Sequence, residues 1–138
     1  VLEPASLVRE AVAHFVPNGG GVLISMSSWS GQKGSSLPSL SAYAASKAAI
    51  KAFTQTIATS YAKEGVLAYI IAPGIVKTRM SDLAAVIRGG EEKMKSSLVL
   101  GELVTPDELG NLAVFLASGK CRHLTGATLD VNGASYIR

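Results

Sequence analysis

The 138 residues predict an α/β fold built on a parallel sheet, and three observations carry that expectation. Residues 22–26 and 66–72 are near-continuous apolar runs, which suit strands buried on both faces better than strands with one wet face. Segments of helical period lie before, between and after them. A last short run at 127–131 completes the order helix, strand, helix, strand, helix, strand, the pattern of a parallel sheet with right-handed crossovers.

The opening segment repeats Leu2, Leu7, Val8, Ala11, Val12 and Phe15 at helical spacing, with no clear cap before them. It reads as a helix met in its middle, and the expectation is a chain that has lost its beginning. Pro17-Asn18-Gly19-Gly20-Gly21 is a breaker cluster leading into the first strand. A Gly- and Ser-rich loop is expected over 27–40. Ser41 is a candidate cap for a long helix to about residue 63, with Gly65 as a left-handed stop. Ile50, Phe53, Ile57 and Tyr61 form its apolar stripe, while Ala45, Ala48, Ala49 and Ala52 allow another helix to come close.

Pro73-Gly74 ends the second strand. Helical pieces are expected at 81–88 and 91–98, divided by Gly89-Gly90. Thr105-Pro106-Asp107-Glu108 carries a full helix start: Thr caps, Pro fits the first position, and Glu reaches back to the cap. Leu109, Leu112, Ala113 and Leu116 form that helix's buried face. Gly126 turns into the last strand. No internal repeat or linker divides the chain.

Composition narrows the function classes. A chain 48% hydrophobic and 17% charged is that of a globular domain. No apolar run approaches the ~18 residues of a membrane span, and the first residues lack the features of a signal peptide. The single Cys121 excludes an internal disulfide and fits a reducing cytoplasm. The net charge of +3 gathers around Lys77, Arg79, Arg88, Lys93 and Lys95, but Asp82, Glu91 and Glu92 are interspersed. Aromatic residues are only 6%, which argues against a stacking platform for single-stranded nucleic acid. A small-molecule ligand, rather than nucleic acid or a membrane, is expected.

Tyr43 and Lys47 stand four apart at the start of the long helix, so their side chains share a face. A free tyrosine is a poor base at neutral pH, and a neighbouring ammonium favours its phenolate. Taken alone, such a pair is common on helix surfaces. Its setting is less common. Ser27 and Ser28 follow the first strand, and Pro73-Gly74 follows the second, at the carboxyl edge where parallel sheets bind ligands. A serine there can donate a hydrogen bond to a carbonyl oxygen that gains charge.

The segments Ser28-Trp29-Ser30-Gly31, Tyr43-Ala44-Ala45-Ser46-Lys47-Ala48-Ala49 and Ala72-Pro73-Gly74-Ile75-Val76-Lys77-Thr78 resemble the short-chain dehydrogenase/reductase family. Thr105-Pro106-Asp107-Glu108-Leu109, Phe115-Leu116-Ala117-Ser118 and Leu124-Thr125-Gly126 continue the likeness, which spans essentially the whole chain. The resemblance implies the C-terminal half of a doubly wound Rossmann-type sheet, about three strands with flanking helices. It implies interconversion of a carbonyl and a secondary alcohol with NAD or NADP. Tyr43 would exchange a proton with the substrate oxygen. Lys47 would favour the phenolate and hold the cofactor's ribose hydroxyls. Ser28, three before Gly31, would polarise the carbonyl, with Ser27 as the alternative. Pro73, Gly74, Val76 and Thr78 match the segment that lies along the nicotinamide. Homo-oligomerisation as a dimer or tetramer and a cytoplasmic setting are implied too, with no metal site.

Two departures stand out. The interval from Ser28 to Tyr43 is about two residues longer than in many members, placing Leu37-Pro38 near the substrate mouth. The family's glycine-rich phosphate turn and its Asn-Asn-Ala-Gly segment are absent, and its helix asparagine would fall just before Val1. Gly19-Gly20-Gly21 precedes a strand and is no substitute for the glycine turn. These 138 residues are therefore expected to be a partial domain, inactive alone, lacking the nucleotide-binding half. A non-catalytic assembly element is the alternative. A serine hydrolase fares poorly, with no Gly-x-Ser-x-Gly elbow and with His14 and His123 poorly placed. Trp29, Leu37, Met80, Leu83 and Leu98 are candidates for an apolar substrate pocket.

Overall fold

The computed structural model describes residues 2–138. Helix α1 (Leu2–Phe15) leads into β1 (Gly21–Met26) through a 3-10 turn at Val16–Asn18. After a short helix α2 (Ser30–Lys33) and a 3-10 turn at Pro38–Leu40 come α3 (Ser41–Tyr61) and β2 (Val66–Pro73). Helices α4 (Arg79–Arg88) and α5 (Glu91–Lys95) follow, then α6 (Pro106–Ala117) and β3 (Thr128–Val131). The three strands form one parallel sheet in the order β1-β2-β3. The predicted α/β class is what the chain adopts.

The central strand β2 is buried along its whole length, as its unbroken apolar run predicts. One face of the sheet packs Ala68 and Val66 against Val8, Val12 and Ile57, with Phe15, Phe53 and Tyr61 around them. The other packs Leu67, Tyr69 and Ile71 against Leu116, with Leu109, Leu112 and Ala113 beside it. The stripes of α1, α3 and α6 thus sandwich the sheet. Inside the α3 face, the hydroxyls of Thr54 and Ser25 pair at 2.8 Å, so neither is left unsatisfied between helix and strand.

The glycine cluster before β1 has a structural cause. Gly20 lies at φ 110°, and a Cβ there would stand 2.3 Å from the carbonyl oxygen of Gly65, itself at φ 81°. Two backbone turns at the amino edge of the sheet meet with no room for side chains. Gly65 is the left-handed residue expected after α3.

Two expectations change. The segment read as loop over 27–40 contains α2, four residues long and therefore too short to show a helical period. Ser41 does not cap α3: the chain enters through the Pro38–Leu40 turn, and Leu40 holds the cap position without a side-chain bond. The start of α6 behaves as predicted. Thr105 Oγ1 accepts from the Glu108 amide at 3.3 Å, and the Glu108 carboxylate accepts from the Thr105 amide at 2.7 Å. The Thr105 amide and the Thr105 hydroxyl, both donating to that carboxylate, hold it below its usual range.

Candidate active site

The site forms where β1 and β2 end. The Ser27 amide donates to the Ile71 carbonyl at 2.8 Å, extending the ladder one residue beyond β1. The chain then turns, and the Trp29 amide donates to the Pro73 carbonyl at 3.0 Å. Pro73 ends β2, and the Gly74 amide donates to Val131 of β3 at 2.9 Å. The Ser27-Ser28-Trp29 turn and Pro73-Gly74 are therefore stitched together at one rim.

Helix α3 is fixed to that rim by two bonds. Ser27 Oγ donates to the Lys47 carbonyl at 2.8 Å, and Lys47 Nζ donates to the Met26 carbonyl at 2.9 Å. Gly31 makes the approach possible, since a Cβ there would lie 2.8 Å from the Ala48 nitrogen and the Lys47 carbonyl carbon. Lys47 is half-buried, and burial pulls its pKa below the usual lysine value. Its ammonium stands 5.8 Å from the centre of the half-buried Tyr43 ring.

The two serines differ in what their hydroxyls do. Both are buried. Ser27 spends its proton on α3, whereas Ser28 Oγ accepts the Ser30 amide at 3.1 Å and keeps its own proton to donate. The Met26 carbonyl, which orients Lys47, was not legible in the sequence, because any residue type offers a carbonyl.

Val76 and Thr78 lie farther along the segment leaving Gly74. Val76 pairs with Val104 in an isolated parallel bridge, and the Lys77 amide donates to the Val104 carbonyl at 2.8 Å. Thr78 holds the cap position of α4, with its amide donating to Ser81 Oγ at 2.9 Å. Lys77 Nζ contacts both carboxylate oxygens of Glu91 at 2.8 Å, and Lys95 Nζ contacts one of them at 2.9 Å. These two cations hold the Glu91 carboxyl down at about 2.

The expected apolar pocket divides. Trp29 and Leu98 line a cavity of about 390 Å³ beside the rim, but its wall is rich in serine and carries Lys33 and Arg88. Leu37, Met80 and Leu83 are exposed and outside it. Both histidines lie at the opposite edge of the sheet from Ser28. His14 is at the end of α1 before β1, and His123 is in the 3-10 turn before β3, so no Ser–His relay is assembled. Among the described residues, no helix is long and apolar enough to cross a membrane.

Comparison with known proteins identifies the family. A family profile described as "Enoyl-(Acyl carrier protein) reductase" matches residues 4–134. The chain belongs to the short-chain dehydrogenase/reductase family. Diacetyl reductase [(S)-acetoin forming] of Staphylococcus aureus is 34% identical over 130 residues, covering 88% of this chain and 50% of that protein. Galactitol 2-dehydrogenase of Agrobacterium fabrum is 35% identical over 127 residues, covering 86% and 49%. The 3beta-hydroxysteroid dehydrogenase of Mediterraneibacter gnavus is 31% identical over 144 residues, covering 91% and 51%. The chain spans about half the length of these relatives. A solved structure of a tyrosine-to-phenylalanine variant of ElxO with NADPH bound superposes with a TM-score of 0.80 at 24% identity. It covers 93% of this chain and 51% of that one, and shares the fold.

Proposed function

We propose that this short-chain dehydrogenase/reductase chain supplies the catalytic half of an NAD(P)-dependent oxidoreductase that interconverts a carbonyl and a secondary alcohol. The observation that carries the proposal is the stitched rim. Ser28, Tyr43 and Lys47 come from two elements that Ser27, Met26 and Gly31 hold in close register.

In this reading Tyr43 passes its hydroxyl proton to the substrate oxygen during reduction and recovers it during oxidation. Ser28 donates the hydrogen bond that its free proton allows, to the same oxygen as charge builds there. Lys47 holds positive charge beside the Tyr43 ring and favours the phenolate. Its ammonium has three donors and spends one on Met26, which leaves two for a nucleotide's ribose hydroxyls. That donor set, with the open backbone at Pro73 and Gly74 and the segment through Val76 and Thr78, fits a nicotinamide nucleotide. When bound, the nucleotide supplies the hydride, for which no side chain can substitute.

The share of the relatives covered supports a partial domain. The outer edge of β1 has no partner strand among the described residues. The 138 residues alone are then inactive, and a longer polypeptide carries the nucleotide-binding half. The second reading, an assembly role through homo-oligomers, is favoured by the apolar groove between α1 and α3. It encloses about 770 Å³ beside Val12, Val16, Phe53 and Tyr61. A small carbonyl or alcohol as substrate and a cytoplasmic setting belong to the same proposal.

The test is oxidation of NADH and NADPH by the full natural polypeptide against a panel of ketones and aldehydes. Turnover is expected with at least one pair, and Tyr43→Phe should reduce it by about 10²–10⁴-fold while the circular dichroism is unchanged. Undiminished turnover in that variant would remove Tyr43 from the proton-transfer role.

A further inference from the structure

The cavity of about 390 Å³ is lined at three points by residues that neighbour the proposed site in the chain. Trp29 directly follows Ser28, Leu40 lies just before the helix that carries Tyr43, and Ile75 directly follows Gly74. Two cations line it, Lys33 from the end of α2 and Arg88 from the end of α4, and no carboxylate does. Neither cation forms an ion pair among the described residues. Glu91 is engaged with Lys77 and Lys95, and Asp130 with Arg138 and Gln32.

Lys33 does not swing free. Its Nζ stands 4.1 Å from the centre of the Trp29 ring and 5.7 Å from that of Tyr136, positions in which the ring faces attract a cation without neutralising it. The hydroxyls complete the pattern. Ser35 Oγ accepts from the Leu37 amide at 3.1 Å and Ser135 Oγ from the Val99 amide at 3.0 Å, so each retains its proton to donate. Ser97 is the exception, since its proton goes to the Met94 carbonyl at 2.6 Å. Two unpaired cations and hydroxyls that retain a proton to donate, with no carboxylate in the lining, are the donor set of an anion site.

We propose that this cavity holds an anionic group of the substrate, a carboxylate or a phosphate, and that the carbonyl compound reduced at Tyr43 is therefore an acid or a phosphate ester. The proposal rests on the oxidoreductase reading for its substrate but not for its binding site. The three relatives are named for diacetyl, galactitol and a steroid, so an anionic substrate would set this chain apart from them.

The experiment has a catalytic arm and a binding arm, both on the full natural polypeptide. In the first, kcat/KM is compared for 2-oxobutyrate against its methyl ester, and for dihydroxyacetone phosphate against dihydroxyacetone. One pair should favour its anion, which also tells carboxylate from phosphate. In the double variant Lys33→Ala/Arg88→Ala that preference should fall by about tenfold to a hundredfold, the scale of charge-assisted hydrogen bonds. A preference for the neutral member in both pairs, or one unaltered in the double variant, would overturn the proposal.

In the binding arm, Trp29 fluorescence is titrated with 2-oxobutyrate and with inorganic phosphate, and Trp29→Phe identifies the signal. A saturable change that disappears in the double variant, with its circular dichroism intact, supports the site even if no carbonyl is reduced. In that event only the oxidoreductase reading fails. No saturable change with either anion, or one that persists in the double variant, refutes the anion site itself.

Discussion

Strand β2 buries all eight of its residues, whereas the ten-residue α4 buries only Ser81 and Ala85 and turns Met80, Leu83, Val86 and Ile87 outward. The segment from Pro73 to Thr78 joins the two regions, and Arg88 of α4 lines the cavity beside the candidate site. From β2 and α3 come groups held by backbone bonds and by a contact only glycine permits. From α4 comes Arg88, a long exposed cation that forms no ion pair among the described residues. In the proposed reading, chemistry that needs fixed geometry sits on the first, and recognition of a variable substrate group falls to the second together with Lys33 of α2. A rigid sheet edge combined with an adjustable wall is how one scaffold can keep its reaction and change its substrate.

The sharpest way to break this contrast is by stability. Ile71→Ala should cost about 2–5 kcal/mol in urea unfolding, because its side chain is fully buried and its removal leaves a cavity. Ile87→Ala, at a position 84% exposed, should stay within about 0.5 kcal/mol. Comparable losses would mean that α4 is covered in the working protein. Next in size is Gly31→Ala. Its Cβ meets backbone rather than a movable side-chain end, so overpacking should cost about 1–3 kcal/mol. Hydrogen exchange should show the loss at α2 and the first turns of α3. Protection left intact there would show that the close approach is not what holds Lys47 in place.

Legibility in the sequence follows the same division. The buried strands, the face of α6 and its capping box were readable because burial and capping restrict residue type at fixed spacing. Tyr43, Lys47 and Ser28 were placed by short motifs whose order the parallel sheet converts into one rim. Helix α2 was missed because its four residues are too few to show a helical period, and its packing on α3 through Gly31 is remote in sequence. The cation-lined cavity was missed for a related reason. Lys33 and Arg88 become neighbours of one space only after folding, and an isolated Lys or Arg looks like solvated surface.

The smallest expected effect concerns the ion pairs that tie α5 to the segment after Gly74. Glu91 is held from a usual value of 4.5 down to about 2, so its contribution to stability is fully present above the usual value. It is lost as pH falls from there toward about 2. The group is exposed, so the contribution is slight and screened by salt. Glu91→Gln should therefore lower the thermal midpoint slightly at neutral pH and low salt. The difference from the parent should vanish in strong salt and at the acid end of that range. A difference independent of both would assign Glu91 a packing role instead.

The central claim is that hydride and proton meet a carbonyl at the rim formed by Ser28, Tyr43 and Lys47. Transfer of label from a nicotinamide nucleotide deuterated at its hydride-donating carbon tests it most directly, with mass spectrometry of the alcohol product. Deuterium on the carbinol carbon is predicted for the full natural polypeptide, with transfer nearly abolished by Tyr43→Phe. An alcohol product without deuterium, or label transfer undiminished in that variant, would contradict the claim.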